Sequence, residues 1–132
     1  MKKFGLSKDE RIKSEKDFKL IYSAGKTAYS GNQKLKAVYI IEGNAGEGKI
    51  KIAAAVSKRA GNAVWRNRVK RLIRESFRLN KHLIDLNNKE EKFFVRIVFS
   101  PGNLSQIKNK LIKLVDIMPA LTDLLKKING SL

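Results

Sequence analysis

Residues 43–56 read GNAGEGKIKIAAAV, and two folds compete for them. Gly43, Gly48 and Lys49 match the phosphate-cradling pattern G-x-x-x-x-G-K, which would place the segment in a nucleotide-binding domain. That chemistry needs a Ser or Thr after the lysine and a helix that starts at once, because loop amides and helix N-terminus hold the phosphate together. Ile50 follows instead. From there Ile50, Ile52, Ala54 and Val56 alternate with Lys51, Ala53 and Ala55, the period of a strand with one apolar face. The segment therefore predicts a turn entering a strand. The apolar, β-branched LKAVYII at 35–41 predicts the preceding strand, with residues 43–48 as the turn of a hairpin.

Upstream, residues 26–34 read as loop. Ser14-Glu15-Lys16-Asp17 has the spacing of a helix N-cap whose third helical side chain answers back. Phe18, Ile21 and Tyr22 share one face of that helix and Gly25 stops it, which gives a first helix over 14–24. MKKFGLSKDERIK (1–13) is charged and unpatterned, a partly mobile basic arm. Downstream, a basic helix runs to about Asn80, followed by the polar connection HLIDLNNKEEK (82–92). FFVRIVF (93–99) predicts a third, central strand closed by Ser100-Pro101-Gly102. Ile107, Leu111, Leu114, Val115 and Met118 keep helical spacing from Ser105 to Pro119, and Leu121, Leu124, Leu125 and Ile128 form a last short helix before Asn129-Gly130. The order α-β-β-α-β-α-α describes an α/β fold, a single-domain α-β sandwich over residues 1–132 with a central β-sheet.

Charge sets the class of partner. The 132 residues carry 29 Lys and Arg against 12 Asp and Glu, a net +17. Such self-repulsion opposes folding until a polyanion relieves it. No apolar run approaches the ~18 residues of a membrane span, and no signal peptide is recognisable at the start of the sequence. Cysteine is absent, so disulfides and thiolate metal sites are excluded. A cytoplasmic protein bound to nucleic acid is the expectation.

The charge is concentrated. Lys58, Arg59, Arg66, Arg68, Lys70, Arg71, Arg74 and Arg78 are opposed over residues 58–78 by Glu75 alone. At ~100° per residue, Trp65, Val69, Leu72, Ile73, Ser76 and Phe77 gather on one side of a helix, and the cations gather on the other with only Arg66 on the apolar flank. A merely solvated face interleaves both signs in i,i+4 pairs, which this one hardly does. Arginine outnumbers lysine within the helix, as bidentate phosphate contact favours.

Lys58-Arg59-x-Gly61-Asn62-Ala63-Val64-x-Arg66-Asn67-Arg68-x-Lys70-Arg71-x-x-Arg74-Glu75 closely resembles the Arg-Asn-Arg motif of the bacterial ribonuclease P protein component. Arg11, Glu15-x-Asp17-Phe18, Tyr22 and Gly25 are similar to the family's first helix, and the β-β-α-β order agrees. After Pro101 only the helical spacing is family-like. The resemblance implies a ribosomal-protein-like fold with a left-handed β-α-β crossover, against the usual right-handed rule. It also implies a protein subunit that joins ribonuclease P RNA, as a monomer in a 1:1 complex, to form the endonuclease that removes 5′ leaders from precursor tRNA. The RNA subunit then supplies a Mg2+-dependent catalytic centre. Lys58, Arg59, Asn62, Arg66, Asn67, Arg68, Lys70, Arg71 and Arg74 become the RNA-subunit surface. Phe18, Tyr22 and Tyr39 become a platform on which unpaired leader bases stack. Phe18 and Tyr22 are also compatible with a place in the core, less so Tyr22 because a buried hydroxyl needs a partner, and the Tyr39 assignment depends on an alignment across a longer loop.

No catalytic or metal-ligating set stands out in the chain itself. His82 is the single histidine and reads as an exposed helix-end residue, while Asp85, Glu90 and Glu91 read as solvated linker charges. One departure from the family concerns the basic residue often found beside the proline that ends the last strand. Here Phe99 and Ser100 precede Pro101 and Arg96 lies mid-strand, so either Arg96 takes over that contact or the contact is absent. The competing function is a ribosomal-type structural RNA-binding protein, which charge and size fit equally well. A DNA reader would need a helix-turn-helix pair or a dimer seam, and neither is visible.

Overall fold

The computed structural model describes residues 8–43, 45–86 and 91–132. Helix α1 (Glu15–Ala24) is followed by strands β1 (Lys26–Tyr29), β2 (Leu35–Glu42) and β3 (Lys49–Ala54). Helix α2 (Ala63–Asn80), strand β4 (Phe94–Pro101) and helix α3 (Leu114–Asn129) complete the order. The four strands form one sheet in the order β1-β2-β4-β3. β4 runs antiparallel to β2 and parallel to β3.

β4 is central because its sequence demands cover on both faces. Val95, Ile97 and Phe99 point to one side and Val98 to the other, all essentially inaccessible, as near-continuous apolar strands require. The expected hairpin between β2 and β3 is therefore not formed. The chain reverses direction between β2 and β3, but β3 is set one strand-width away and the later β4 fills the gap. The segment 26–34 also departs from the loop reading, since β1 pairs along β2 from Lys26↔Tyr39 to Tyr29↔Lys36. An edge strand needs only one partner and little apolar surface, so Lys-Thr-Ala-Tyr left no alternation to detect.

The two faces of the sheet carry different loads. On one, α2 and α3 pack together over Leu35, Ala37, Tyr39, Ile52, Val95, Ile97 and Phe99 and bury Trp65, Val69, Ile73 and Phe77. The other carries α1 and a much smaller cluster of Ile12, Ile21, Val38 and Val98. The arm was expected to be mobile to residue 13, yet Ile12 is buried there and its N–H donates to the Ile52 carbonyl at 2.9 Å. Residues 1–7 of that arm lie outside the described residues, as does Glu90.

The C-terminal region holds one helix where two were expected. Residues 105–113 form turns, with Ile107 and Leu111 exposed, and α3 runs from Leu114 through Pro119 without a break. The Asp116 carboxylate accepts the Lys113 N–H at 2.8 Å and so fixes the start nine residues later than Ser105. Pro119 lies on the exposed side of the second turn, where the carbonyl it leaves unbonded can face water.

Candidate nucleic-acid interface

The α2 surface is built from its N-terminus. Gly61 is extended (φ 171°), a conformation open to any residue. A Cβ there would nevertheless meet Trp65 Cε3 at 2.7 Å and the Gln106 side chain at 2.9 Å, so glycine is required by space. Asn62 then caps the helix, its Oδ1 accepting the Trp65 N–H at 2.9 Å while its own N–H donates to Gln106 Oε1 at 2.8 Å. The Trp65 indole is buried and donates to the Asn109 carbonyl at 2.9 Å. The turns at 105–113 thus brace the end of α2 through polar contacts that the apolar spacing of this segment did not announce.

From this base the cations are aimed. Arg66 Nε donates to the Gly61 carbonyl at 3.1 Å and Arg68 Nε to the Ile112 carbonyl at 2.7 Å. Each guanidinium is thus oriented through its Nε. Lys58, Arg59, Asn62, Asn67, Arg68 and Arg71 are exposed, and Arg66, Lys70 and Arg74 are half-buried. Among the described residues none of these cations forms an ion pair, and Arg78 alone in α2 is bonded to Glu75. Partial burial, and then repulsion from Arg11, lowers the Arg74 pKa from its usual value. A cationic face with so few ion pairs among the described residues is costly in isolation and suited to a polyanion.

The three expected platform aromatics are not brought together. Phe18 is half-buried at the edge of the small cluster under α1, and Tyr22 is exposed. Tyr39 is 8% exposed and belongs to the core beneath α2 and α3. The reason is register: β2 alternates, so Val38 and Ile40 face α1 while Ala37, Tyr39 and Ile41 face away. Tyr39 therefore stands on the far side of the sheet from Phe18 and Tyr22.

Two concave surfaces lie beside Tyr22 and the start of β2. A groove of about 510 Å³ at the end of α1 is lined by Tyr22, Lys36, Ser57, Arg59, Ser100 and Gly102 among others. A neighbouring hollow shares Lys36, Pro101 and Gly102 and adds Tyr29, Gln33 and Asn103. Tyr29 is 51% exposed and lies directly opposite Lys36 in the β1–β2 ladder. Partial burial raises the pKa of the Tyr22 phenol from its ordinary value. Sequence reasoning passed over Lys36 and Tyr29 because β1 was not recognised; its register would have placed both on the α1 side. Arg59 lines the same groove as Tyr22, which joins this concave, aromatic-edged surface to the cationic face of α2.

The remaining expectations about chemistry-bearing side chains concern the connector. His82 is exposed in a single 3-10 turn after α2, Asp85 is exposed and Glu91 half-buried. Among the described residues no group of three His, Asp or Glu side chains is arranged to hold a metal. Arg96 does not reach solvent as a substitute contact beside Pro101. It is 7% exposed and engaged by two carboxylates. No described helix is long and apolar enough to cross a membrane.

The comparisons with known proteins agree with one another. The family model for ribonuclease P matches residues 6–118. The chain is 38% identical over 122 residues to the ribonuclease P protein component of Clostridium novyi (strain NT), covering 92% of this chain and 96% of the relative. It is 31% identical over 110 residues to that of Alkaliphilus metalliredigens (strain QYMF), with 83% and 94% covered. Among solved structures, the ribonuclease P protein of Thermotoga maritima superposes with a TM-score of 0.68 at 26% identity, covering 89% of this chain and 96% of that one. The Staphylococcus aureus protein gives 0.66 at 28% identity, with 92% and 96% covered.

Proposed function

We propose, since this chain belongs to the ribonuclease P protein family, that it acts in the cytoplasm as the protein subunit of a ribonucleoprotein endonuclease that removes 5′ leaders from precursor tRNA. A large ribonuclease P RNA is its partner, bound one to one, and that RNA carries the catalytic centre and the Mg2+ it requires. Lys58, Arg59, Asn62, Arg66, Asn67, Arg68, Lys70, Arg71 and Arg74 form the surface that receives the RNA subunit. Phe18 and Tyr22, with Lys36 and Tyr29, form the surface that receives the single-stranded leader. Bases stack on exposed rings while lysine follows the backbone, a mode of binding that tolerates many sequences.

The observation that carries this reading is the continuity of the two surfaces through Arg59 and Tyr22 in one groove. A protein that only scaffolds folded RNA needs the cationic helix but not a concave, aromatic-edged extension of it.

The test is cleavage of precursor tRNA by a bacterial ribonuclease P RNA at low magnesium, with and without the purified protein. Correct 5′ cleavage is expected only when protein and RNA are both present. Tight RNA binding without any effect on cleavage would instead identify a structural RNA-binding protein.

A further inference from the structure

Arg96 occupies an unusual place for a charge. It lies mid-way along the central strand, between Ile40 of β2 and Lys51 of β3 in register, on the sheet face that carries α1. Its side chain is 8% exposed. Nη1 donates to Asp17 Oδ1 of α1 at 2.9 Å, Nη2 is bonded to Glu42 at the end of β2, and Cζ lies 4.8 Å from the centre of the Phe94 ring. Nε is buried without a hydrogen-bond partner, so the guanidinium depends on those two carboxylates. A buried ion of this kind adds little net stability over apolar packing but fixes geometry, because any displacement leaves a charge unpaired.

What it fixes is α1. Among the described residues this ten-residue helix contributes one buried side chain, Ile21, to a cluster with Ile12, Val38 and Val98, with Phe18 partly buried against it, a smaller apolar anchor than α2 and α3 have on the other face. Its C-terminal end is set at Gly25, where a Cβ would lie 3.0 Å from Val38 Cγ1 and 3.1 Å from the Tyr39 carbonyl oxygen. Its N-terminal turn is set by Asp17. The sequence suggested that Asp17 would complete a capping box, yet Ser14 Oγ accepts the Lys16 and Asp17 N–H groups while the Asp17 carboxylate is turned to Arg96. Phe18 and Tyr22 lie between these two fixed points.

We infer that the Asp17–Arg96–Glu42 set is a positioning device that holds α1 at the height above the sheet at which Phe18 and Tyr22 can receive leader bases. Arg96 acts through α1 and does not touch RNA. The inference rests on the leader-binding reading above.

The test uses holoenzyme reconstituted with ribonuclease P RNA, and compares Arg96→Met with the neutral combination Asp17→Asn, Glu42→Gln and Arg96→Met. The second variant leaves no charge unpaired and keeps the question open to test if the first fails to fold. Two readouts are taken: amide hydrogen exchange across α1, and affinity for precursor tRNA with a leader against mature tRNA without one. Exchange in α1 is expected to accelerate with α2 and β4 unchanged. Leader-dependent affinity is expected to fall about tenfold, near the value of one base stack, with mature tRNA binding unaffected. Unchanged α1 exchange, or equal losses for both RNAs, overturns the inference. Tyr22→Ala run in parallel separates the two layers. If it lowers leader affinity and the neutral combination does not, the positioning role falls and the leader surface stands. If Tyr22→Ala leaves leader affinity intact, the leader surface falls and the inference with it.

Discussion

Tyr22 and Tyr39 stand on opposite faces of the sheet, the first 56% exposed at the end of α1 and the second 8% exposed beneath α2 and α3. Two residues with the same side chain are thereby given different work. Tyr39→Ala should destabilise the protein by about 3–5 kcal/mol, the range for emptying a buried aromatic site. Tyr22→Ala should change stability by no more than about 0.5 kcal/mol while weakening binding of precursors with a leader. Chemical denaturation paired with RNA titration checks both. A large stability loss at Tyr22 would place its ring in the core.

The oriented arginines of α2 give a second expectation. Arg66→Ala combined with Arg68→Ala should weaken binding of the RNA subunit and flatten the log–log salt slope by about one to two. The double lysine variant keeps both charges but loses the Nε bonds to the Gly61 and Ile112 carbonyls. It should therefore retain the salt slope while losing part of the affinity that depends on fixed guanidinium planes. A slope unchanged in the alanine variant would remove this pair from the interface.

The sequence made α2 legible because a helix period and a segregated charge pattern coincide there, and it made β4 legible because a short continuous apolar run can satisfy itself only at the centre of a sheet. It did not reveal that β3 skips a position, since strand order depends on which neighbour β4 needs rather than on any local signal near residues 43–48. Nor could the spacing of Ile107 and Leu111 be recognised as coincidence. Their segment is held by Gln106, Asn109 and the Ile112 carbonyl against the start of α2, and polar bracing of that kind has no period. For the proposed site, the sidedness of α2 followed from its helical period, but the partition of aromatics between faces required the strand register.

Gly61 tests the claim that space rather than backbone freedom selects glycine. Alanine can adopt φ 171°, yet its Cβ would lie 2.7 Å from the Trp65 ring. Gly61→Ala should cost about 1–3 kcal/mol through overpacking. Shortening Gln106 as well, by Gln106→Ala, removes the Oε1 contact but keeps the Cβ that also lies 2.9 Å away, and the indole is anchored to the Asn109 carbonyl, so only part of the cost should be recovered. Full recovery would show that the Gln106 amide, not the Trp65 ring, sets the limit.

Asn62 combines a structural and a proposed recognition role that two substitutions separate. Its Oδ1 caps α2, so Asn62→Ala should lower stability by about 1 kcal/mol. Asn62→Asp keeps an equally good cap, and its negative charge is favoured at a helix N-terminus, so stability should be held or slightly raised. That same charge enters the surface shared by Arg59 and Arg66. If RNA phosphates approach there, Asn62→Asp should reduce affinity for the RNA subunit by about 1 kcal/mol, roughly fivefold, with the loss growing as salt is lowered. An aspartate variant as stable as the parent and equally tight for RNA would confine Asn62 to capping and move the phosphate path further along α2, toward Arg68 and Arg71.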